Sequence, residues 1–364
     1  MSTVSLWVAR SQGQRLDRCA FADGKPGRAW NRANASMERR IVRTRVQLRK
    51  HSVLGEYGAD AIGRALRREP AQGTWPSRAT INRVLRRRGA LDGVRRIRRP
   101  APPRGWYLPA VAAGSAEVDS FDFIEDLKIA KGPLVQVLTA KSLHGGLADA
   151  WTMPRTNAKV TVQCLIERWR RDGLPAYAQF DNDTVFQGAH QFADSVGRVS
   201  RLCLALGVVP VFVPPLEHGM QNPIEGFNAL WQAKVWQRHH VPSLRALQQF
   251  SDHYIAAHRA RTAELAEQAP PRRPMPRSFK LNLNAPLRGL MIFIRRTNHH
   301  GQVSLLGRRF LVSRDWMHRL VRCEVHFERH RIRCFALRRR APDEQQLLAT
   351  LHYRFPDKPF LGAI

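Results

Sequence analysis

Between residue 115 and about residue 265 the sequence switches repeatedly between two hydrophobic periods, and this switching restricts the fold more than any other feature. "EVDSFDFI" and "GPLVQVLTA" read as consecutive strands. "TNAKVTVQCLIERWRRDG" then takes up a helical period, with Val162, Leu165, Ile166 and Trp169 on one face and Gly173 beyond its end. "AYAQFD" is a third strand. "SVGRVSRLCLALG" is a second helix carrying Val199, Leu202, Cys203 and Leu206 and closed by Gly207. "VVPVFVPP" is a short buried strand, and a long helix runs from about Pro223. Ile224, Phe227, Trp231 and Val235 form its buried stripe; Glu225, Asn228 and Gln232 share the exposed side. The order β β α β α β α implies an α/β layer built on a mixed sheet.

The flanks differ in kind. Residues 1–35 lack periodicity and read as a basic disordered tail. Over 36–92 the spacing predicts three short helices. Met37, Ile41 and Val42 lie in the first, and Ile62, Ala65 and Leu66 in the second. The third is capped by Ser77, carries Ile81, Val84 and Leu85, and stops at Gly89. Three helices ending in an arginine-rich one suggest a helix-turn-helix DNA-binding domain. Arg78, Asn82, Arg83 and Arg86 would meet a major groove; the plainer alternative is a small bundle with solvated arginines. Residues 93–114 form a basic, proline-rich linker in which Arg95, Arg96, Arg98 and Arg99 can track phosphates. After a second proline-rich linker, 266–285, residues 286–364 break into short alternating runs that predict a small β-barrel.

Charge narrows the partners. Lys and Arg number 60 against 29 Asp and Glu, a formal charge of +31, which opposes compaction unless a polyanion shares the surface. No apolar run is long enough to span a bilayer, and no signal peptide is evident. The expected partner is therefore nucleic acid rather than membrane, and the expected location is cytoplasmic, with the nucleoid. Cys19, Cys164, Cys203, Cys323 and Cys334 show no C-x-x-C spacing, so free, core-packed thiols are expected rather than a zinc site.

In so basic a chain the acids of the α/β region stand out. Asp122 is flanked by Phe121 and Phe123, so it projects from the opposite face of its strand. Asp181 ends the strand "AYAQF" before a turn, and Glu225 opens the last helix. If these ends adjoin, three carboxylates converge, and divalent cations would have to neutralise them. Hard oxygen donors favour Mg2+ or Mn2+, and two such ions suit in-line displacement at phosphorus. Each acid also has an ordinary structural reading. Asn222-Pro223-Ile224-Glu225 fits a capping box, and Asp181 and Asp183 fit turn residues.

These residues carry a resemblance. "AQFDNDTVFQG" resembles the D-N-G-x-x-F turn of the retroviral-type integrase core, the DDE transposase family. "PPLEHGMQNPIEGFNALWQAKV" is similar to that family's P-x-S-x-G-x-x-E-x-x-N segment, and "EVDSFDFI" to its opening D-F motif. The resemblance spans roughly residues 115–265. It implies an RNase H-like fold and Asp122, Asp181 and Glu225 as catalytic, metal-holding acids. It also implies an SH3-like form for the C-terminal barrel, with Arg295, Arg296, Arg308, Arg309, Arg338, Arg339 and Arg340 as further phosphate contacts. Asp119 is the alternative first acid, Glu217 the alternative third and Asp183 a further alternate; Glu225 has the family's helix and the Asn228 that follows. Where the family has Gly, this chain has Asp183, which adds a charge beside the site. Asn228 and Gln232 would face DNA. The implied activity is that of an insertion-element transposase or integrase, Mg2+-dependent, acting as an oligomer on double-stranded DNA at element ends and target. A catalytically inactive DNA-binding descendant and an RNase H-like nuclease are the other readings.

Overall fold

The structure, a computed structural model, describes residues 33–68, 74–91, 104–129, 132–189, 192–214, 217, 220–357 and 359–360, with Ser5 and Val8. The rest of the expected tail, and Arg95, Arg96, Arg98 and Arg99 of the expected linker, lie outside the described residues. The chain divides into two compact units, Met1–Arg96 and Ile97–Ile364.

In the first unit, α1 (Ala35–His51), α2 (Ala59–Arg67) and α3 (Arg78–Arg87) enclose Ile41, Ile62, Leu66, Ile81, Val84 and Leu85. Asn34 caps α1 by accepting from the Met37 N–H at 2.8 Å, and Ser77 caps α3 by accepting from the Thr80 N–H at 3.2 Å. Buried Glu38 on α1 is held by Arg87 and Arg88 at the end of α3. Burial alone would raise its pKa, but those two guanidinium groups lower it. Arg78, Arg83 and Arg86 are exposed and Asn82 is half-exposed. That leaves an arginine-bearing face on α3, and Arg78 also lies 3.4 Å from Asp60.

The second unit opens with a short helix, α4 (Pro109–Ala112), and three strands, β1 (Val118–Lys128), β2 (Leu134–Ser142) and β3 (Ala148–Met153). Next come α5 (Ala158–Asp172), β4 (Tyr177–Phe180), α6 (Thr184–Gln187), α7 (Arg198–Ala205), β5 (Val209–Phe212) and α8 (Asn222–Trp231). Helix α8 runs on into a π-helical turn at Gln232–Trp236, and α9 (Leu244–Arg261) and α10 (Ala263–Glu267) follow. The last strands are β6 (Leu290–Arg296), β7 (Gln302–Leu305), β8 (Arg308–Leu311), β9 (Leu320–His326), β10 (Arg331–Ala336) and β11 (Leu347–His352). Strand β1 pairs antiparallel with β2, and β2 with β3, while β4 lies parallel to β1 and β5 parallel to β4. This mixed sheet with its helices is compatible with the expected integrase-like core. Strand β3 was not anticipated from the sequence.

The C-terminal strands are where expectation and structure part. They form, but not as a barrel of their own. Strand β6 lies parallel to β5, matching Val211 with Ile292 and Phe212 with Phe293, and β9, β10 and β11 follow antiparallel. One nine-stranded sheet results, in the order β11-β10-β9-β6-β5-β4-β1-β2-β3. The physical reason lies in β5. "VPVF" is apolar throughout and nearly all buried, and without β6 it would be an apolar edge with unpaired backbone groups. A row of aromatic rings crosses the join. Phe121 and Phe180 have centroids 5.4 Å apart, Phe180 and Phe212 5.8 Å, and Phe212 and Phe293 5.3 Å. One core therefore runs from Phe121, Leu165 and Trp169 through Phe293 to Cys323 and Ile332. Strands β7 and β8 form a separate hairpin. Its turn residues Leu306 and Gly307 have φ of 50° and 69°, and a Cβ at Gly307 would stand 2.6 Å from the Phe192 backbone. Cys164, Cys203, Cys323 and Cys334 are free and buried. Among the described residues no helix is long and apolar enough to cross a membrane.

Candidate active site

The middle of β1, the turn after β4 and the first turn of α8 bring the sequence's chosen acids into electrostatic reach of Asp122. Asp122 is half-buried on β1. Its Oδ1 accepts from the Phe123 N–H at 3.0 Å, and its Oδ2 accepts from Asn228 Nδ2 at 2.8 Å. The Thr139 hydroxyl donates to Asn228 Oδ1 at 2.7 Å, with the Asp122 carbonyl 3.0 Å from the same hydroxyl. Burial pushes the Asp122 carboxyl up to about 7, and the charges of Asp181, Glu225 and Glu125 push in the same direction. The Asp181 pKa is also raised, by burial and then by Asp183 and Glu125, against the lowering effect of the Asp183 N–H.

The turn explains the tolerance for Asp183. Asp181 Oδ1 accepts from the Asp183 N–H at 3.0 Å, and Asp183 Oδ1 accepts from the Val185 N–H at 2.6 Å, capping α6. Asp183 has φ −58° and ψ 142°, backbone that any residue adopts, so the glycine of the resembling family is not required here. Asn182 is pinned on both sides. Its Nδ2 donates to the Val213 carbonyl at 2.7 Å, and its Oδ1 accepts from Arg295 Nη2 at 2.8 Å.

The two alternative acids sit in different company. Asp119, fully buried, receives Arg168 Nε at 2.9 Å, the Ser142 hydroxyl at 2.7 Å and a guanidinium contact from Arg272. Burial alone would raise its carboxyl; Arg168 and Arg272 instead hold it well below the usual carboxylate range. Gly173, at φ 82°, lets the chain turn under Arg272, whose Cβ would be 2.9 Å from any Cβ placed there. Glu217 is bound by Arg296 at 2.6 Å and Arg339 at 3.1 Å. Both alternatives are thus neutralised by arginine. By contrast, no Lys or Arg pairs with Asp122, Asp181, Asp183 or Glu225 among the described residues. Asp122, Asp181 and Asp183 are half-buried, whereas half-buried Asp172, Asp194 and Glu217 are each paired with arginine.

No protein-family model matches the chain, and no curated protein matches it in sequence. Solved structures to which it is similar include retroviral integrases. The catalytic core domain of HTLV-2 integrase in complex with magnesium, in its trimeric form, is 10% identical over 38% of this chain and 81% of that one, with a TM-score of 0.28. The simian T-cell lymphotropic virus intasome in complex with PP2A regulatory subunit B56 gamma is 12% identical over 73% and 88%, with a TM-score of 0.34. The catalytic core domain of BIV integrase, in crystal form I, is 18% identical over 36% and 79%, with a TM-score of 0.27.

Several expected contacts need correction. Asn228 is not on the exposed side of α8; it is buried and spent on Asp122 and Thr139, because the helix turns that face toward β1 and β2. Gln232 is half-exposed, and Glu225 is exposed. Among the C-terminal arginines, Arg308 pairs with Asp194 at 2.7 Å and Arg338 with Glu344 at 3.2 Å, and Arg296 and Arg339 hold Glu217. Arg309 and Arg340 are exposed. Among the described residues, no three His, Cys, Asp or Glu side chains are grouped closely enough to hold a metal ion as they stand. The donor chemistry nonetheless suits a hard cation, since the carboxylates of Asp181 and Glu225 act on Asp122 through their charge and no basic side chain pairs with them among the described residues.

Proposed function

We propose that the chain is a DDE-type transposase or integrase, a polynucleotidyl transferase that cleaves and joins double-stranded DNA. The observation that carries this reading is that half-buried Asp122 lies in the field of half-buried Asp181 and exposed Glu225, with no Lys or Arg paired to any of the three among the described residues of a chain of +31. These three would hold two Mg2+ or Mn2+ ions. Such ions, when bound, activate an attacking hydroxyl and stabilise the leaving oxygen of a phosphodiester. The chain's own residues supply the rest. Asn228, braced by Thr139, fixes the rotamer of Asp122 through Oδ2. Asn182 fixes the turn that presents Asp181. Glu225, on the exposed first turn of α8, is the acid with freedom to move inward. The arginine face of α3 serves as the helix-turn-helix contact with element ends, and Arg309 and Arg340 add phosphate contacts. An oligomer on DNA would serve two ends at once.

The test uses a labelled duplex of the DNA flanking the gene, incubated with Mg2+, Mn2+ or EDTA. Nicking or joining that requires metal and vanishes in Asp181→Asn is the expected result. One observation favours a second reading, a DNA-binding descendant without catalysis: the acids are not grouped as a ready metal site, and Asp122 Oδ2 is already engaged by Asn228. Tight, salt-dependent binding without cleavage under any metal would establish that alternative.

A further inference from the structure

Strand β6 places one more charged group at the rim that carries the Asp181–Asp183 turn. The Arg295 guanidinium donates through Nη2 to Asn182 Oδ1 at 2.8 Å, and through Nη1 to the carbonyls of Ile294 at 2.9 Å and Phe212 at 3.3 Å. It also lies 4.9 Å over the Phe293 ring. All of these acceptors are neutral. Among the described residues no carboxylate pairs with Arg295, although Arg296 beside it pairs with Glu217. Burial, with no anion to offset it, lowers its pKa to about 10. Arg295 is half-buried, so its guanidinium is only partly withdrawn from water, and no carboxylate among the described residues offsets its charge. Among the described residues the Nε–H and one Nη2–H have no protein acceptor, leaving two donors of the planar guanidinium for a phosphate.

We propose that Arg295 binds a backbone phosphate of the substrate DNA beside the Asp181–Asp183 turn, making β6 part of the substrate site. The proposal rests on the reading of that turn as the catalytic edge. It assigns opposite tasks to neighbouring groups: the acids carry cations, and Arg295 meets a phosphate directly. Because the same guanidinium holds Asn182, phosphate binding and the placement of Asp181 are mechanically linked.

The experiment compares the full-length wild type, Arg295→Gln and Arg295→Lys on duplexes that each carry one neutral methylphosphonate, scanned through every phosphate of the flanking DNA. Binding is read by fluorescence anisotropy in EDTA across a salt series, and nicking is read in Mn2+. One methylphosphonate position is expected to weaken wild-type binding about tenfold or more and to make no further difference in Arg295→Gln. Arg295→Gln itself should bind with a salt slope smaller by about one and nick about thirtyfold more slowly. Arg295→Lys should stay sensitive at the same position, and if the Gln variant does not fold, the Lys variant carries the comparison through a weakened response there. An Arg295→Gln profile that parallels wild type at every phosphate overturns the proposal. Absence of nicking by wild type would sink the transferase reading alone, and the binding scan would still decide Arg295.

Discussion

Replacing Asp122 by Asn should stabilise the metal-free protein at neutral pH and leave it unchanged in acid. In the folded chain the carboxyl is pushed from 3.8 up to about 7, so between those values the native state holds a proton that the unfolded chain has lost. Native stability therefore falls as pH rises through that window and levels off above about pH 7. At about 1.4 kcal/mol per pH unit the full effect is about 4 kcal/mol, and water reaching this half-buried group screens it toward about 2 kcal/mol. Asn keeps the shape and, with its single oxygen, can accept from either Asn228 or the Phe123 N–H but not both, and it has no charge to desolvate or to set against Asp181 and Glu225. Urea unfolding of wild type and Asp122→Asn in EDTA, from pH 4.5 to pH 8.5, measures this directly. The two curves should lie within about 1 kcal/mol of each other near about pH 4.5 and separate by about 2 to 4 kcal/mol by about pH 8. Adding Mg2+ should close the gap by stabilising the wild type alone, according to its saturation. Parallel pH profiles would refute the claim that burial and neighbouring like charge disfavour the Asp122 carboxylate, and equal stabilisation of both proteins by Mg2+ would refute its part in holding a cation.

Three further outcomes follow from other contacts. Arg168→Met should cost about 3–5 kcal/mol in urea unfolding, because Asp119 and Asp149 would lose the buried cation that pairs with both. Phe293→Ala should cost about 3–5 kcal/mol by the same measurement, since the ring closes the aromatic row where β6 meets β5. Replacing Arg83 and Arg86 together by Ala should weaken duplex binding and lower the salt slope by about two, leaving the unfolding midpoint nearly unchanged because both side chains are exposed.

The core helices and strands were legible because their periods are strong: Gly173 closes α5 and Ser77 caps α3 as read, and the Phe121–Phe123 bracket does turn Asp122 to the face of β1 that Asn228 reaches. What sequence could not supply was partnership. Asp119 and Asp122 look interchangeable in "VDSFDF"; they are told apart by Arg168 and Arg272, distant in the chain and visible only once α5 and the segment after α10 pack on the sheet. Strand β3 was hidden because buried Asp149 breaks its apolar pattern, a polar choice that makes sense only beside Arg168, Arg171 and Arg259. The runs after residue 286 were readable as strands, but alternation alone does not say whether a strand closes a barrel or joins a sheet already begun. Arg295 had no distinguishing mark among so many arginines; only its neutral surroundings set it apart.

The pairing of β5 with β6 also governs when the protein becomes competent. Val211 meets Ile292, about eighty residues later, so the central sheet has to await distant chain before its apolar strand is covered. The three N-terminal helices close over contacts that are short in sequence, and they emerge first. Synthesis therefore yields a folded basic module while the acid-bearing sheet is still incomplete. A chain cut short before β6 would keep its arginine-rich face and lack the strand that finishes the sheet.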